Sequence, residues 1–282
     1  MTDSLQPTDA YRTVNDLRLH YLDWGAAERP TVVCVHGYTG SAQAFNALAR
    51  KLCDRFHLIA ADVRGHGESA WSPVAAYRYA DQAGDLAGLV DGLGLDRFVL
   101  IGTSMGGIIA MAYAIAHPER LRGLVINDIG PDAEAGSGRI TGMVGSRPAD
   151  FASLDEAMEY RRQTSPITAA RPLDDQRELA QGVLRQRPDG RWVWKMDPAY
   201  IEERVARGAP PRPALWPGLA SLPCPTLVVW GSDSDVLSQA QARRMVEVLP
   251  YGELVAVPGV GHAPTLVEPP VLAALERLLA AV

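Results

Sequence analysis

The segment Phe98-Val99-Leu100-Ile101-Gly102-Thr103-Ser104-Met105-Gly106-Gly107-Ile108-Ile109-Ala110 joins a short apolar run of strand type to a run of small and apolar residues of helical period. Gly102-x-Ser104-x-Gly106 lies at the junction. A serine at so sharp a strand-to-helix turn has a strained backbone, and its neighbours must be small to avoid collision. Gly102, Gly106 and Gly107 meet that need. The hydroxyl of Ser104 is then expected above the end of a strand, near the positive end of the helix that begins around Met105. Glycine and serine also build ordinary turns, so the strand-turn-helix setting gives the pattern its weight.

Outward from this segment, apolar runs alternate with helical ones. Strands are expected at Leu17–Tyr21, Thr31–Val35, Leu58–Ala61, Phe98–Ile101, Leu124–Ile126, Thr226–Trp230 and Leu254–Val257. Helices are expected at Ala42–Leu52, Tyr79–Leu93, Gly106–His117, Ser238–Leu249 and Pro270–Leu279. Strands apolar on both faces, separated by amphipathic helices, describe an α/β fold with a mostly parallel central sheet flanked by helices. Tyr11–Val14 and Leu17–Tyr21 around Asn15-Asp16 read instead as an edge hairpin. The rhythm stops between 131 and 217, where helical pieces (Ser153–Gln163, Asp174–Gln186) and a short Arg191–Met196 stretch precede a proline-rich return. The expected organisation is a core of 1–130 and 218–282 with an inserted helical cap at 131–217.

Four further motifs accompany the Ser104 turn: Val35-His36-Gly37-Tyr38, Asp62-Val63-Arg64-Gly65-His66-Gly67-Glu68-Ser69, Gly231-Ser232-Asp233-Ser234-Asp235 and Gly259-Val260-Gly261-His262. In this order, over nearly the whole chain, they resemble the α/β-hydrolase fold superfamily, and specifically its cap-bearing serine hydrolases. The resemblance implies a Ser, acid, His order along the chain. His262, in a glycine-rich loop after the last strand, is the expected base. Asp235 is the expected acid, since relatives with a Ser-Asp-x-Leu-Ser segment use that aspartate. Asp233 in the same loop and Asp128 in Ile126-Asn127-Asp128-Ile129-Gly130 stay open as alternatives, because some relatives place the acid after the preceding strand. The oxyanion hole should consist of the backbone N–H groups of Met105 and Tyr38. The resemblance gives His36 a structural role beside that loop. His20, His57, His66 and His117 are read as non-catalytic, and Arg64 as a pin for its glycine turn.

Composition narrows the partners. The 282 residues are 47% apolar and 21% charged, with 27 basic against 33 acidic residues and a net charge of −6. Nothing in this balance favours nucleic acid or an anionic membrane. There is no run of roughly 18 apolar residues and no positively charged start followed by an apolar region. With three scattered cysteines, Cys34, Cys53 and Cys224, the expectation is free thiols in a cytoplasmic protein. Neither a phosphate-loop pattern nor metal-ligand spacing occurs, so no cofactor and no metal are expected. The function read from the chain is hydrolysis of a small to medium carboxylic ester, lactone or thioester through an acyl-enzyme on Ser104. C–C bond hydrolysis, a lyase or perhydrolase reaction, or a non-catalytic ligand receptor are the alternatives. Trp192, Trp194, Met143, Met158, Met196 and Tyr160 are candidates to line a site for an apolar acyl part. One of Arg139, Arg147, Arg161, Arg162 and Arg171 could meet a substrate carboxylate.

Overall fold

The computed structural model describes residues 6–134 and 136–281. Its strands are β1 (Thr8–Val14), β2 (Leu17–Trp24), β3 (Thr31–Val35), β4 (His57–Ala61), β5 (Phe98–Thr103), β6 (Leu121–Asn127), β7 (Asp150–Phe151), β8 (Leu184–Gln186), β9 (Trp192–Trp194), β10 (Thr226–Gly231) and β11 (Gly252–Val257). The helices are α1 (Asn46–Leu52), α2 (Tyr79–Gly92), α3 (Met105–Ala116), α4 (Gly136–Gly145), α5 (Leu154–Thr164), α6 (Pro166–Ala169), α7 (Leu173–Val183), α8 (Pro198–Arg207), α9 (Trp216–Leu219), α10 (Gln239–Val248) and α11 (Pro269–Ala280). Eight strands form one sheet in the order β1-β2-β4-β3-β5-β6-β10-β11. Pairing from β4 through β11 is parallel, and β1 and β2 add an antiparallel edge.

The apolar runs divide between two cores because side chains alternate across a strand. Val33 and Val35 of β3, and Phe98 and Leu100 of β5, join the residues of α2, α3 and α10 on one face. Val32, Cys34, Val99 and Ile101 join α1 and α11 on the other. Each buried side chain of this size contributes roughly 1.5–3 kcal/mol, so neither face tolerates a slip in register. At the edge, Val14 pairs with Leu17, and Asn15 and Asp16 have φ of 48° and 60°. Two positive values at adjacent turn positions make the tight hairpin that Asn-Asp permits.

Between β6 and β10 the chain leaves the sheet and forms α4 to α9. The helical cap expected at 131–217 is mixed in structure. It also holds a three-stranded antiparallel sheet in the order β7-β9-β8. The helix expected to run to Gln186 ends at Val183, because Leu184–Gln186 pairs with Trp192–Trp194. Large β-forming side chains in β9 outweigh the helical period there. Among the described residues, no helix is long and apolar enough to cross a membrane.

Candidate active site

Ser104 sits between β5 and α3 with φ 53° and ψ −119°. A non-glycine residue holds such a conformation only when its surroundings impose it. Here the turn is so tight that a Cβ on Gly102 would lie 2.3 Å from the Gly106 carbonyl oxygen, and one on Gly106 2.1 Å from that of Val35. Only glycine fits at either position. The strained turn is anchored by the Ser104 N–H, which donates to the Asn127 carbonyl at 2.9 Å.

His262 Nε2 lies 2.8 Å from Ser104 Oγ, and its Nδ1 lies 2.8 Å from Asp128 Oδ2. With Nδ1–H donating to the carboxylate, Nε2 is left to accept from the serine hydroxyl. Asp128, an alternative in the sequence reading, is thus the carboxylate that meets the imidazole. Its position follows from the sheet. Thr103 pairs with Asn127 across β5 and β6, so Ser104 and Asp128 are the residues immediately beyond matching strand ends. The carboxylate is fully buried, and its Oδ1 accepts from the Gly231 N–H at 3.0 Å. Its own N–H donates to the Val229 carbonyl at 2.8 Å.

Asp235 does not occupy that place. Its carboxylate accepts from Arg139 Nε at 2.5 Å and Nη2 at 2.8 Å, and its side chain is 43% exposed. Arg139 holds its pKa below the ordinary carboxylate value, chiefly through these hydrogen bonds. A carboxylate committed to a bidentate fork is not free to orient an imidazole. Asp233 is also elsewhere, with Oδ1 accepting from Ser232 Oγ at 2.8 Å. The loop expected to supply the acid instead braces the histidine loop. The Asp233 N–H donates to the Val260 carbonyl at 3.0 Å, and the Gly259 N–H donates to Ser232 Oγ at 2.8 Å. Asn127, which the sequence reading missed, ties the two sides together. Its Nδ2 donates to the Pro264 carbonyl at 2.9 Å and to Thr103 Oγ1 at 3.1 Å. Its only sequence signal is a polar side chain at the end of an apolar strand.

The Met105 N–H opens α3, where the first amides of a helix have no partner within it. The Tyr38 N–H belongs to the Gly37–Tyr38 peptide, whose carbonyl accepts from His36 Nδ1–H at 2.8 Å and from the Gly40 N–H at 2.9 Å. His36 Nε2 in turn accepts from the Val63 N–H at 3.0 Å, which fixes a neutral tautomer. His66 Nε2–H donates to the Tyr38 carbonyl at 2.7 Å. Two buried histidines therefore hold successive peptides of the loop. Arg64 pins the same glycine turn through Asp85 and the Ala76 carbonyl.

Burial, with the neighbouring His36 imidazole opposing a second proton in the same pocket, pushes the His66 pKa down to about 3. Burial also lowers that of His36. Groups with depressed folded values stabilise the fold above their unfolded pKa near 6.5. They lose that contribution as pH falls towards the folded value, because only the unfolded chain then takes up the proton. Unfolding free energy should therefore decline below pH 6.5 by about 1.4 kcal/mol per pH unit for His66, with His36 adding in the same direction. Urea titrations between pH 7 and 4.5 check this, and His66→Gln should flatten the slope. His20, where the pull of burial is outweighed by Asp62 and Asp9 so that its pKa is raised, contributes fully below pH 6.5 and loses that contribution as pH rises from there through its folded pKa.

A cavity of about 620 Å³ opens over Ser104 and His262, walled on the other side by residues of the 131–217 segment. Met143, Tyr160 and Trp194 line it, while Met158 and Trp192 pack with Phe151 and Leu154 in a separate cluster. Met196 belongs to the main core. Arg162 pairs with Glu159 away from the cavity. Among the described residues, no three His, Cys, Asp or Glu side chains form a group that could hold a metal.

The model of a protein family described as alpha/beta hydrolase fold matches residues 30–269. The chain is 32% identical over 264 residues to the 3-hydroxybutyrate-oligomer hydrolase of Cupriavidus necator, covering 89% of each. It is 28% identical over 241 residues to the 2-(acetamidomethylene)succinate hydrolase of Mesorhizobium japonicum, covering 85% of this chain and 84% of that one. Among solved structures, an alpha/beta hydrolase from Novosphingobium aromaticivorans superimposes with a TM-score of 0.87 at 34% identity over 99% of each chain.

Proposed function

The chain belongs to the alpha/beta hydrolase fold family and is a hydrolase, and from that premise we propose that it cleaves a carboxylic ester by way of an acyl-enzyme on Ser104. The observation that carries the reading is the unbroken chain from Ser104 Oγ through His262 to Asp128, with both contacts at 2.8 Å. Ser104 Oγ attacks the ester carbonyl as His262 Nε2 takes its proton. Asp128 holds the imidazole in the required tautomer and stabilises the imidazolium. The N–H groups of Met105 and Tyr38 receive the developing oxyanion. Removal of one such donor in other hydrolases costs about 10²–10³ in rate. His262 then protonates the leaving alcohol and afterwards draws a proton from the water that releases the acid.

The segment 131–217 acts as a cap that walls the substrate from bulk water. Apolar side chains of Ile108, Ile129, Ile140, Met143, Val144 and Leu266 suit the apolar part of a small to medium acyl group. The Cupriavidus relative, by its name a hydrolase of 3-hydroxybutyrate oligomers, agrees with ester cleavage. Stopped-flow mixing with p-nitrophenyl butyrate tests the reading. A burst of nitrophenol approaching one equivalent, or steady turnover without added cofactor, is expected. Failure to turn over this ester and its thioester counterpart would overturn it.

A further inference from the structure

Six arginines line the cavity, Arg139, Arg147, Arg161, Arg171, Arg204 and Arg212, against two carboxylates, Asp233 and Asp235. Asp235 is committed to Arg139, and Arg212 is satisfied by the Gly130 and Asp132 carbonyls. The other four form no ion pair among the described residues. They approach from four places in the capping segment: the turn after α4 (Arg147), α5 (Arg161), the turn between α6 and α7 (Arg171) and α8 (Arg204).

Their environment is built rather than incidental. Arg204 is 6% exposed, with its Nε donating to Thr141 Oγ1 at 3.2 Å and its guanidinium 3.9 Å above the Tyr38 ring. Its Nη1 is buried without a hydrogen-bond partner, and so is Arg161 Nε. Arg147 lies 4.3 Å above the Trp194 ring. Burial, with the cation of Arg171 adding to it, lowers the Arg161 pKa to about 10, and burial lowers that of Arg147 to about 10. Both stay protonated at neutral pH. Buried cations with unmet donors are costly unless an anion answers them. Planar guanidinium forks match a carboxylate in both charge and shape.

We propose that Arg161 and Arg204, with Arg147 and Arg171 beside them, form a carboxylate-binding subsite, so that the ester cleaved at Ser104 carries a free carboxylate beneath the cap. This rests on the ester-hydrolase reading above. It makes specificity a matter of charge as well as fit, because a neutral ester of equal length leaves the guanidinium donors unanswered.

The test compares the mono-p-nitrophenyl ester of glutaric acid with p-nitrophenyl valerate, which has the same acyl chain length and ends in a methyl group. Wild type should favour the acid-bearing ester by at least tenfold in kcat/KM. Arg161→Gln should reduce that preference at least tenfold, and Arg161→Lys should restore part of it. Free glutarate should inhibit valerate-ester hydrolysis competitively, which keeps the proposal testable if a variant fails to fold. Equal or better turnover of the valerate ester by wild type would overturn the subsite while leaving the hydrolase intact. An unchanged preference in Arg161→Gln, or competitive inhibition by inorganic phosphate and not by glutarate, would also overturn it. Loss of turnover on both esters in wild type would instead remove the hydrolase reading itself.

Discussion

Ser104→Ala should lower kcat for ester hydrolysis by about 10⁵–10⁶, the size of effect seen when the nucleophile of comparable serine enzymes is removed. That is about 7–8 kcal/mol of barrier. The loss is confined to the chemistry, because the residue's structural tie is its backbone N–H to the Asn127 carbonyl, which alanine keeps. The φ of 53° is no more strained for alanine than for serine. Thermal unfolding should therefore stay near that of wild type, and the oxyanion donors should leave a small residual rate. Steady-state hydrolysis of p-nitrophenyl butyrate beside calorimetry checks both. Activity retained within tenfold would mean that another group attacks the ester.

Asp128→Asn should cost about 10⁴ in kcat, whereas Asp235→Asn should stay within a few fold. An asparagine amide at 128 can donate to the imidazole, which favours the tautomer with the proton on the wrong nitrogen, and it cannot stabilise the imidazolium. Asp235, half-exposed at the cavity wall and paired with Arg139, hydrogen-bonds neither Ser104 nor His262. Its substitution costs a surface ion pair, worth about 0–1 kcal/mol. Parallel kcat measurements on the two variants decide between the two aspartates. The reverse order of effects would return the acid to the loop after β10.

The parts of this site that are local in sequence were readable there. The Gly102-x-Ser104-x-Gly106 turn, the Asn15-Asp16 hairpin and the two-sided burial of β3 and β5 depend on residues close together or on period alone. His262 was readable because a glycine-rich loop after the last core strand ends at the sheet edge that carries Ser104. The acid was less accessible, because two loops ended in aspartates at that edge. What separates them is the register that sets Asn127 opposite Thr103 and the landing of α4, which brings Arg139 onto Asp235. Both are long-range facts. The same holds for the capping segment, whose helical period concealed the β8–β9 pairing and whose arginines offered five candidates for a carboxylate partner without showing which of them meet. Their convergence depends on how four separate pieces fold over the cavity.

The central claim, a Ser104 hydroxyl made nucleophilic by His262 and Asp128, is tested most directly by intact-mass analysis after exposure to a fluorophosphonate, with peptide mapping of the adduct. Wild type should gain one adduct, on Ser104, Ser104→Ala should gain none, and Asp128→Asn should react far more slowly than wild type. An adduct on Ser104→Ala, or equal labelling rates for Asp128→Asn and wild type, would contradict the account.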